Sequence, residues 1–477
     1  MTLLLADGDS FRLRSVFPFF IIPFRKNRRD RVLSFLNAYV FGPLLPVFLI
    51  CSGLFLSFRL SFFPFCHPVR CLRGMLPGKE KGTLRPTLLA LAGTLGVGNI
   101  TGVAAAIAAG GPGALFWMWI SAFAASFVKY AEVVLALKYR RREGAGAPYY
   151  IRDGLGLTRL ACFFSGVLLL ADFTVGCPVQ VFAAAEALRF SFGIPPAVTG
   201  LVFAALVLLA LFGGKERISS LTAVLVPVLA AFYVLVSAFI LVRGAGDLPE
   251  VLRSVFRSAF LPDAGKAGVG GFLLSRALRF GTARGVLSNE AGCGTAPFAH
   301  AEAKTKVPAE QGLFGILEVM IDTPVLCTLT GLVILLSPEP IGSGGGTGLA
   351  IRAYAVGAGE TAGKAVALSC ALFAYASVIA WAYYGTEALT FLGIGEKGKR
   401  CYLFLSGAFT AVGALFSPAL GWELADLSTA VMTVTNTSCV LLLSGEVRSE
   451  TEAYFRREGD ASAGFRRSRR TAFHPPR

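Results

Sequence analysis

Thr94-Leu95-Gly96-Val97-Gly98-Asn99-Ile100-Thr101-Gly102 lies in the middle of an uncharged apolar run, residues 88–109. A run of that length can cross a bilayer, which takes roughly 20 residues of helix. Glycine weakens a helix by about 1 kcal/mol relative to alanine, and three glycines here share mid-membrane depth with an asparagine amide. Glycines alone fit two readings. One is close helix packing through small residues. The other is an unwound point whose free amides and carbonyls face a ligand, with half-helix ends that favour a carboxylate and a cation. Asn99 favours the second, because an amide at that depth needs partners.

A second interrupted run covers residues 270–299 and carries Arg276, Arg279, Arg284 and Glu290. Its segment Ser288-Asn289-Glu290-Ala291-Gly292-Cys293-Gly294-Thr295-Ala296-Pro297 holds a carboxylate, an amide, two hydroxyls, two glycines and a proline. A lipid-facing helix does not tolerate that composition, whereas a discontinuous helix buried in protein does. Glu290 is open to two roles. It coordinates a cation or titrates, or it pairs with Arg284 or Lys129 and holds the bundle. The backbone around Gly292 and Gly294 is the stronger candidate for ligand contact.

Working outward, eleven runs read as candidate spans: 36–58, 88–109, 114–137, 160–190, 197–212, 218–242, 270–299, 313–336, 365–384, 401–416 and 424–443. With the first set aside, the breaks fall in helices one and six of ten. That is the pattern of two five-helix inverted repeats with a site at their interface. The expected fold is an all-α integral membrane protein with one leading helix and a 5+5 core containing two discontinuous helices. Residues 36–446 form the transmembrane domain, 1–35 a basic leader with no functional role, and 447–477 a basic cytoplasmic tail.

Composition agrees. Of 477 residues 55% are hydrophobic and 16% charged, with 54 glycines, 40 phenylalanines and a mean hydropathy of +0.65. Soluble domains carry about 25% charged residues. A soluble enzyme, a disordered chain and a disulfide scaffold are excluded. The net charge of +16 reads as basic cytoplasmic loops rather than nucleic-acid binding. The ten cysteines include no CxxC and the three histidines are scattered, so no metal pattern emerges. A monomer is expected to suffice. Arg70, Arg73, Lys79, Arg140, Arg141, Arg142, Lys215, Lys304, Lys397 and the eight arginines from Arg448 onward place the N-terminus outside and the C-terminus inside. The cluster Arg25, Lys26, Arg28, Arg29 and Arg31 opposes that orientation.

Several segments resemble the alanine/glycine:cation symporters: residues 93–103 and 110–114, Phe116-Trp117-Met118-Trp119, Lys129-Tyr130-Ala131-Glu132, Ala283-Arg284-Gly285, Ser288-Asn289-Glu290-Ala291-Gly292, Ala299-His300-Ala301, Ile321-Asp322-Thr323, Tyr383-Tyr384-Gly385 and Trp422-Glu423-Leu424-Ala425-Asp426. The likeness covers roughly residues 33 to 446. It implies a leucine-transporter-like fold that carries alanine or glycine inward, driven by sodium. It also implies that Gly96 and Gly98 present amides to a substrate carboxylate, and that the Thr94 carbonyl and Asn99 side chain lie near a first sodium. Carbonyls of Ala92 and Leu95 face a second sodium, completed by the hydroxyl of Ser377. Gln180 matches a pocket-lining glutamine; without the resemblance it reads equally as an interhelical hydrogen bond. The substrate set is Thr94, Gly96, Gly98, Asn99, Gln180, Ser288, Asn289, Gly292 and Cys293.

The chain departs from the family pattern at Cys177-Pro178, at Ala147-Pro148-Tyr149, at Thr386 and at Glu302. Pro178 is expected to kink its helix and move Gln180. A proton-coupled transporter, with Glu290 or Asp322 titrating, is the alternative within the class. A membrane enzyme or a channel is the alternative outside it, but no Ser-His, His-Glu-x-x-His or paired-carboxylate arrangement supports an enzyme.

Overall fold

A chain this apolar satisfies its backbone in lipid only by closing hydrogen bonds within each segment, which selects helices. The computed structural model describes residues 42–75, 84–260, 276–338, 346–416 and 418–456, and among these all regular structure is helical. The expected leader, the start of the first span, residues 270–275 and the tail beyond Arg456 lie outside the described residues.

A leading helix α1 (Gly42–Arg59) is followed by short α2 (Phe63–Cys66) and α3 (Pro68–Met75). Next come α4 (Leu84–Thr94) and α5 (Thr101–Gly110), α6 (Gly113–Lys138), α7 (Ala147–Leu155), α8 (Thr158–Phe192), α9 (Pro196–Leu211) and α10 (Gly214–Arg243). After α11 (Leu248–Phe260) the order recurs: α12 (Arg276–Asn289) and α13 (Ala296–His300), α14 (Pro308–Leu336), α15 (Thr347–Ala358), α16 (Glu360–Phe391), α17 (Glu396–Gly413) and α18 (Pro418–Leu442). Helix α19 (Ser444–Arg456) turns away from α18 by 61°. Broken helix, long helix, short helix, long helix, then two more: that sequence occurs twice. That recurrence is the pattern of a structural repeat.

Among the described residues, five helices are long and apolar enough to cross a membrane, or up to seven if each bent pair is one span. Among the described residues each of the eleven runs overlaps a helix or a broken pair, several of them shorter than a full crossing. The outward faces suit lipid: α9 and α10 expose Leu201, Leu209, Val224, Val228, Leu235 and Phe239. Helix α6 is instead enclosed, packed by α1, α12 and α14, while α8 lies along α16 and α5 along α12. Gly281 allows the α12–α6 crossing, since a Cβ there would sit 2.2 Å from the Ala114 carbonyl oxygen. The distortion at Pro178 takes the form of a widened turn, Asp172–Val179, that absorbs the missing N–H while α8 continues. The Asp172 carboxylate pins this turn to α17, accepting from Tyr402 (2.6 Å) and Ser406 (2.9 Å).

Candidate functional site

The first break separates α4 from α5, whose axes differ by 58°. In a continuous helix the Val97 N–H would donate to the Gly93 carbonyl. Here it donates to Gln180 Oε1 on α8 at 3.1 Å, and the Gly93 carbonyl accepts from Ser377 Oγ on α16 at 2.8 Å. Two neighbouring helices therefore take the two ends of one missing helical bond. Gly96 makes the approach possible, because a Cβ there would lie 2.6 Å from Gln180 Oε1 and 3.0 Å from Ser377 Oγ. Ala92 and Leu95 are buried beside this point. The Thr94 carbonyl accepts from Gly96 N at 2.8 Å, and the Thr94 hydroxyl turns back to the Leu91 carbonyl at 3.3 Å.

One turn on, Asn99 Nδ2 donates to the Asp322 carboxylate (2.7 Å) and to its carbonyl (3.2 Å). The same Asp322 oxygen accepts from Ser288 Oγ at 2.9 Å, and the other accepts from Thr323 at 2.7 Å. Asn99 Oδ1 is buried with no hydrogen-bond partner among the described residues. Asp322 stands in a widened turn of α14, Ile321–Cys327, where Pro324 has no N–H to give the ladder. Asn289 Nδ2 reaches Thr323 at 3.3 Å. Gly98 packs against the end of α12, since a Cβ there would lie 3.0 Å from Ser288 Cα. The two broken helices thus meet at backbone distance, and Thr94, Gly96, Gly98, Asn99, Gln180, Ser288, Asn289 and Ser377 are gathered around the first break and Asp322.

At the second break three of the expected groups find partners within the protein. Between Asn289 and Ala296 the chain passes through left-handed conformations at Glu290 (φ 51°), Gly292 (85°) and Gly294 (76°). First, the amides of Gly292 and Gly294 converge on an internal carboxylate, Glu132 of α6, at 3.2 and 2.9 Å. Asn436 of α18 donates to that carboxylate (2.5 Å) and to the Gly292 carbonyl (2.9 Å), and Tyr150 donates to Asn436. Second, Cys293 meets α18, its sulfur 3.3 Å from the Thr433 hydroxyl. Third, Glu290 bonds to neither Arg284 nor Lys129. It accepts from Thr295 (2.7 Å) and from the Trp381 indole (2.8 Å), whereas Arg284 pairs with Asp426 (2.9 Å) and Lys129 with Glu318 (3.2 Å). The left-handed turn at Glu290 is the physical reason, because it re-aims the side chains that a helix would have pointed along α12.

Asp322, Glu132, Asn436 and Trp381 were not in the set read from the sequence. Glu132 and Asp322 carried a usable signal, a carboxylate inside an apolar run, which at membrane depth marks a functional candidate. Asn436 carried the signal that marks Asn99, an amide inside an apolar run, and Trp381 carried none. Around this centre the bundle has two ends. Where α4 and α10 begin, a cavity of about 550 Å³ is lined by Arg85, Leu89, Lys215, Glu216 and Glu302. Glu302 there pairs with Lys215 and accepts from Tyr383 at 3.1 Å. At the other end a cavity of only about 70 Å³ adjoins the Arg284–Asp426 pair.

The profile of the sodium:alanine symporter family matches residues 26–466. The chain is 37% identical over 442 residues to the sodium/alanine symporter AgcS of Methanococcus maripaludis, covering 89% of this chain and 96% of AgcS. It is 33% identical over 406 residues to the amino-acid carrier protein AlsT of Bacillus subtilis, covering 83% and 86%. In fold it is similar to MhsT, solved in complex with L-phenylalanine, with a TM-score of 0.55 at 12% identity, covering 79% of this chain and 93% of MhsT. The chain is therefore a multi-pass membrane transporter, not an enzyme, and it belongs to the sodium:alanine symporter family.

Proposed function

We propose that the chain imports a small neutral amino acid, alanine or glycine, together with sodium, by exposing the paired breaks to one side of the membrane and then the other. The observation that carries this reading is the exchange at the first break, where Gln180 and Ser377 replace the Val97–Gly93 helical bond. The exchange keeps the helix open without a full charge, which the bilayer would make expensive. The Gly98 amide then holds the substrate carboxylate, joined by that of Gly96 when the carboxylate displaces the Thr94 carbonyl from it. Ser377 gives its proton to the Gly93 carbonyl, so its lone pairs are left for a sodium shared with the carbonyls of Ala92 and Leu95. The unpartnered Asn99 Oδ1 is the oxygen offered to another sodium, with the Thr94 carbonyl beside it and Asp322 behind. Sodium and substrate bound side by side stabilise each other's site, and that coupling energy is the same in both directions.

On this reading the 550 Å³ cavity and the C-terminus face the cytoplasm, an orientation that the basic loops favour. Asp322 also leaves a second reading, proton coupling, because it is a fully buried carboxylate in contact with Asn99. Uptake of labelled alanine into proteoliposomes separates the two. Uptake driven by an imposed sodium gradient, and competed by glycine, is expected. Sodium-independent uptake driven by a pH gradient would favour the proton. Absence of uptake for every small amino acid would overturn the substrate class.

A further inference from the structure

The transport reading leaves the leading helix and its partners without a role. Helix α1 ends at Arg59, and the chain then turns through two consecutive non-glycine residues in the left-handed region, Ser61 (φ 56°) and Phe62 (47°). Such positions cost on the order of 1–3 kcal/mol each and persist where the surroundings enforce them. The turn brings α2 and α3 back beside Arg59 and against α19, which arrives from the far end of the sequence. Phe455 of α19 meets the rings of Phe63 (5.5 Å) and His67 (5.0 Å), and Thr451 is tied to Tyr130 of α6 at 2.8 Å.

Between these elements lies a cavity of about 500 Å³ with an apolar floor including Leu60, Phe63 and Phe455. Arg59, Arg70, Arg448 and Arg456 line it against a single acid, Glu452. That acid is shared by Arg448 (2.7 Å) and Arg456 (3.0 Å). Arg59 and Arg70 have no carboxylate partner among the described residues. Phe58, Phe65, Val69 and Leu72 stand exposed beside it, between 58% and 70% accessible. Val69 and Leu72 lie on the short basic helix α3, and apolar side chains left outward on such a helix suit the acyl boundary of a membrane, with the mouth of the cavity toward the head groups.

We propose that this cavity binds the phosphate head group of an anionic phospholipid, held by the guanidinium forks of Arg59 and Arg70 with the glycerol and upper acyl chain on the aromatic floor. Arginine suits the task because its planar donors match phosphate oxygens in pairs. The apolar floor and the flanking exposed side chains favour a lipid over a free phosphate, which has nothing to bury there. The strained corner then has a purpose, since it closes a lipid site from the two ends of the chain.

The test is retention of lipid by the full-length protein in neutral detergent, read by native mass spectrometry with phosphatidylglycerol, phosphatidylcholine or glycerol phosphate added. The wild type is expected to hold phosphatidylglycerol about 30-fold more tightly than phosphatidylcholine, the weight of two arginines near a membrane surface. Arg59→Gln combined with Arg70→Gln should abolish that preference. Arg73→Gln, which removes a charge from the same helix outside the cavity, should preserve it. Equal retention of the two lipids by the wild type would overturn the proposal, and that comparison needs no variant to fold. An equal loss in Arg73→Gln would reduce the effect to general surface charge and overturn it as well. Complete displacement by millimolar glycerol phosphate would make the source a free phosphate ester and refute the lipid.

Discussion

Exchanging Gln180 for methionine removes the oxygen that accepts the Val97 N–H at 3.1 Å and keeps an unbranched chain of similar length. A buried amide left without an acceptor costs about 1–3 kcal/mol. Exchanging Ser377 for alanine removes the hydroxyl that donates to the Gly93 carbonyl at 2.8 Å, a loss of about 1 kcal/mol. Acting independently, the two would sum to about 2–4 kcal/mol. They are not independent, because the groups they leave bare are partners in an ordinary helical turn. With both side chains gone the Val97–Gly93 bond can close across the break. The double variant should therefore lose less stability than the sum, by about 1 kcal/mol or more. Transport should move the other way. Each single variant keeps uptake with its sodium requirement raised, by about 5-fold for Ser377→Ala and by about 5-fold to about 100-fold for Gln180→Met. The double variant, its break regularised, should have none. Denaturant titration in micelles gives the stabilities, and sodium titration of alanine uptake in proteoliposomes gives the function. Strictly additive stability losses, together with uptake surviving in the double variant, would refute the reasoning.

Asn99→Leu should abolish transport while leaving expression intact, since it removes both the unpartnered Oδ1 and the donor to Asp322 at 2.7 Å; normal uptake would place the site elsewhere. Gly96→Ala should reduce uptake at least about tenfold, as its Cβ would meet Gln180 Oε1 at 2.6 Å, while Gly102→Ala, with nothing within 4 Å, should transport normally. Glu132→Gln should lower stability by roughly 1–3 kcal/mol in the same titration, because one carbonyl and one amino group cannot accept from the Gly292 amide, the Gly294 amide and Asn436 together. An unchanged midpoint would show that the second break is held by something other than Glu132. Glu302→Gln, which breaks the pair with Lys215 at the wider end, should alter uptake rate by no more than about fivefold and stability by less than about 1 kcal/mol, as expected of a half-exposed ion pair; a larger stability loss in the titration would make it a structural contact.

The breaks were legible because they are facts of composition. Glycines and an amide in one apolar run, and Ser288 through Pro297 in another, cannot persist as plain helix in lipid whatever surrounds them. Their spacing then carried the repeat, and the recurring helix order bears it out. The partners were legible only in part. Gln180 and Ser377 lie 83 and 284 residues from the groups they bond, and nothing near them in the chain marks them out. They came from the family likeness. Asp322 is legible as a titratable group but not as the acceptor at which Asn99 and Ser288 meet.

By itself, then, the sequence determined where helical bonding must fail, how many apolar segments carry the failure, and which end of the bundle is basic, because each depends on residue type and local spacing alone. Only the tertiary structure decided who takes the released groups. Glu132, 160 residues away, fills the amides at Gly292 and Gly294, and Trp381 rather than Arg284 or Lys129 takes Glu290. A left-handed residue turns the chain in a direction that no spacing predicts, and in a dry interior a freed donor bonds to whichever acceptor the packing brings within 3 Å.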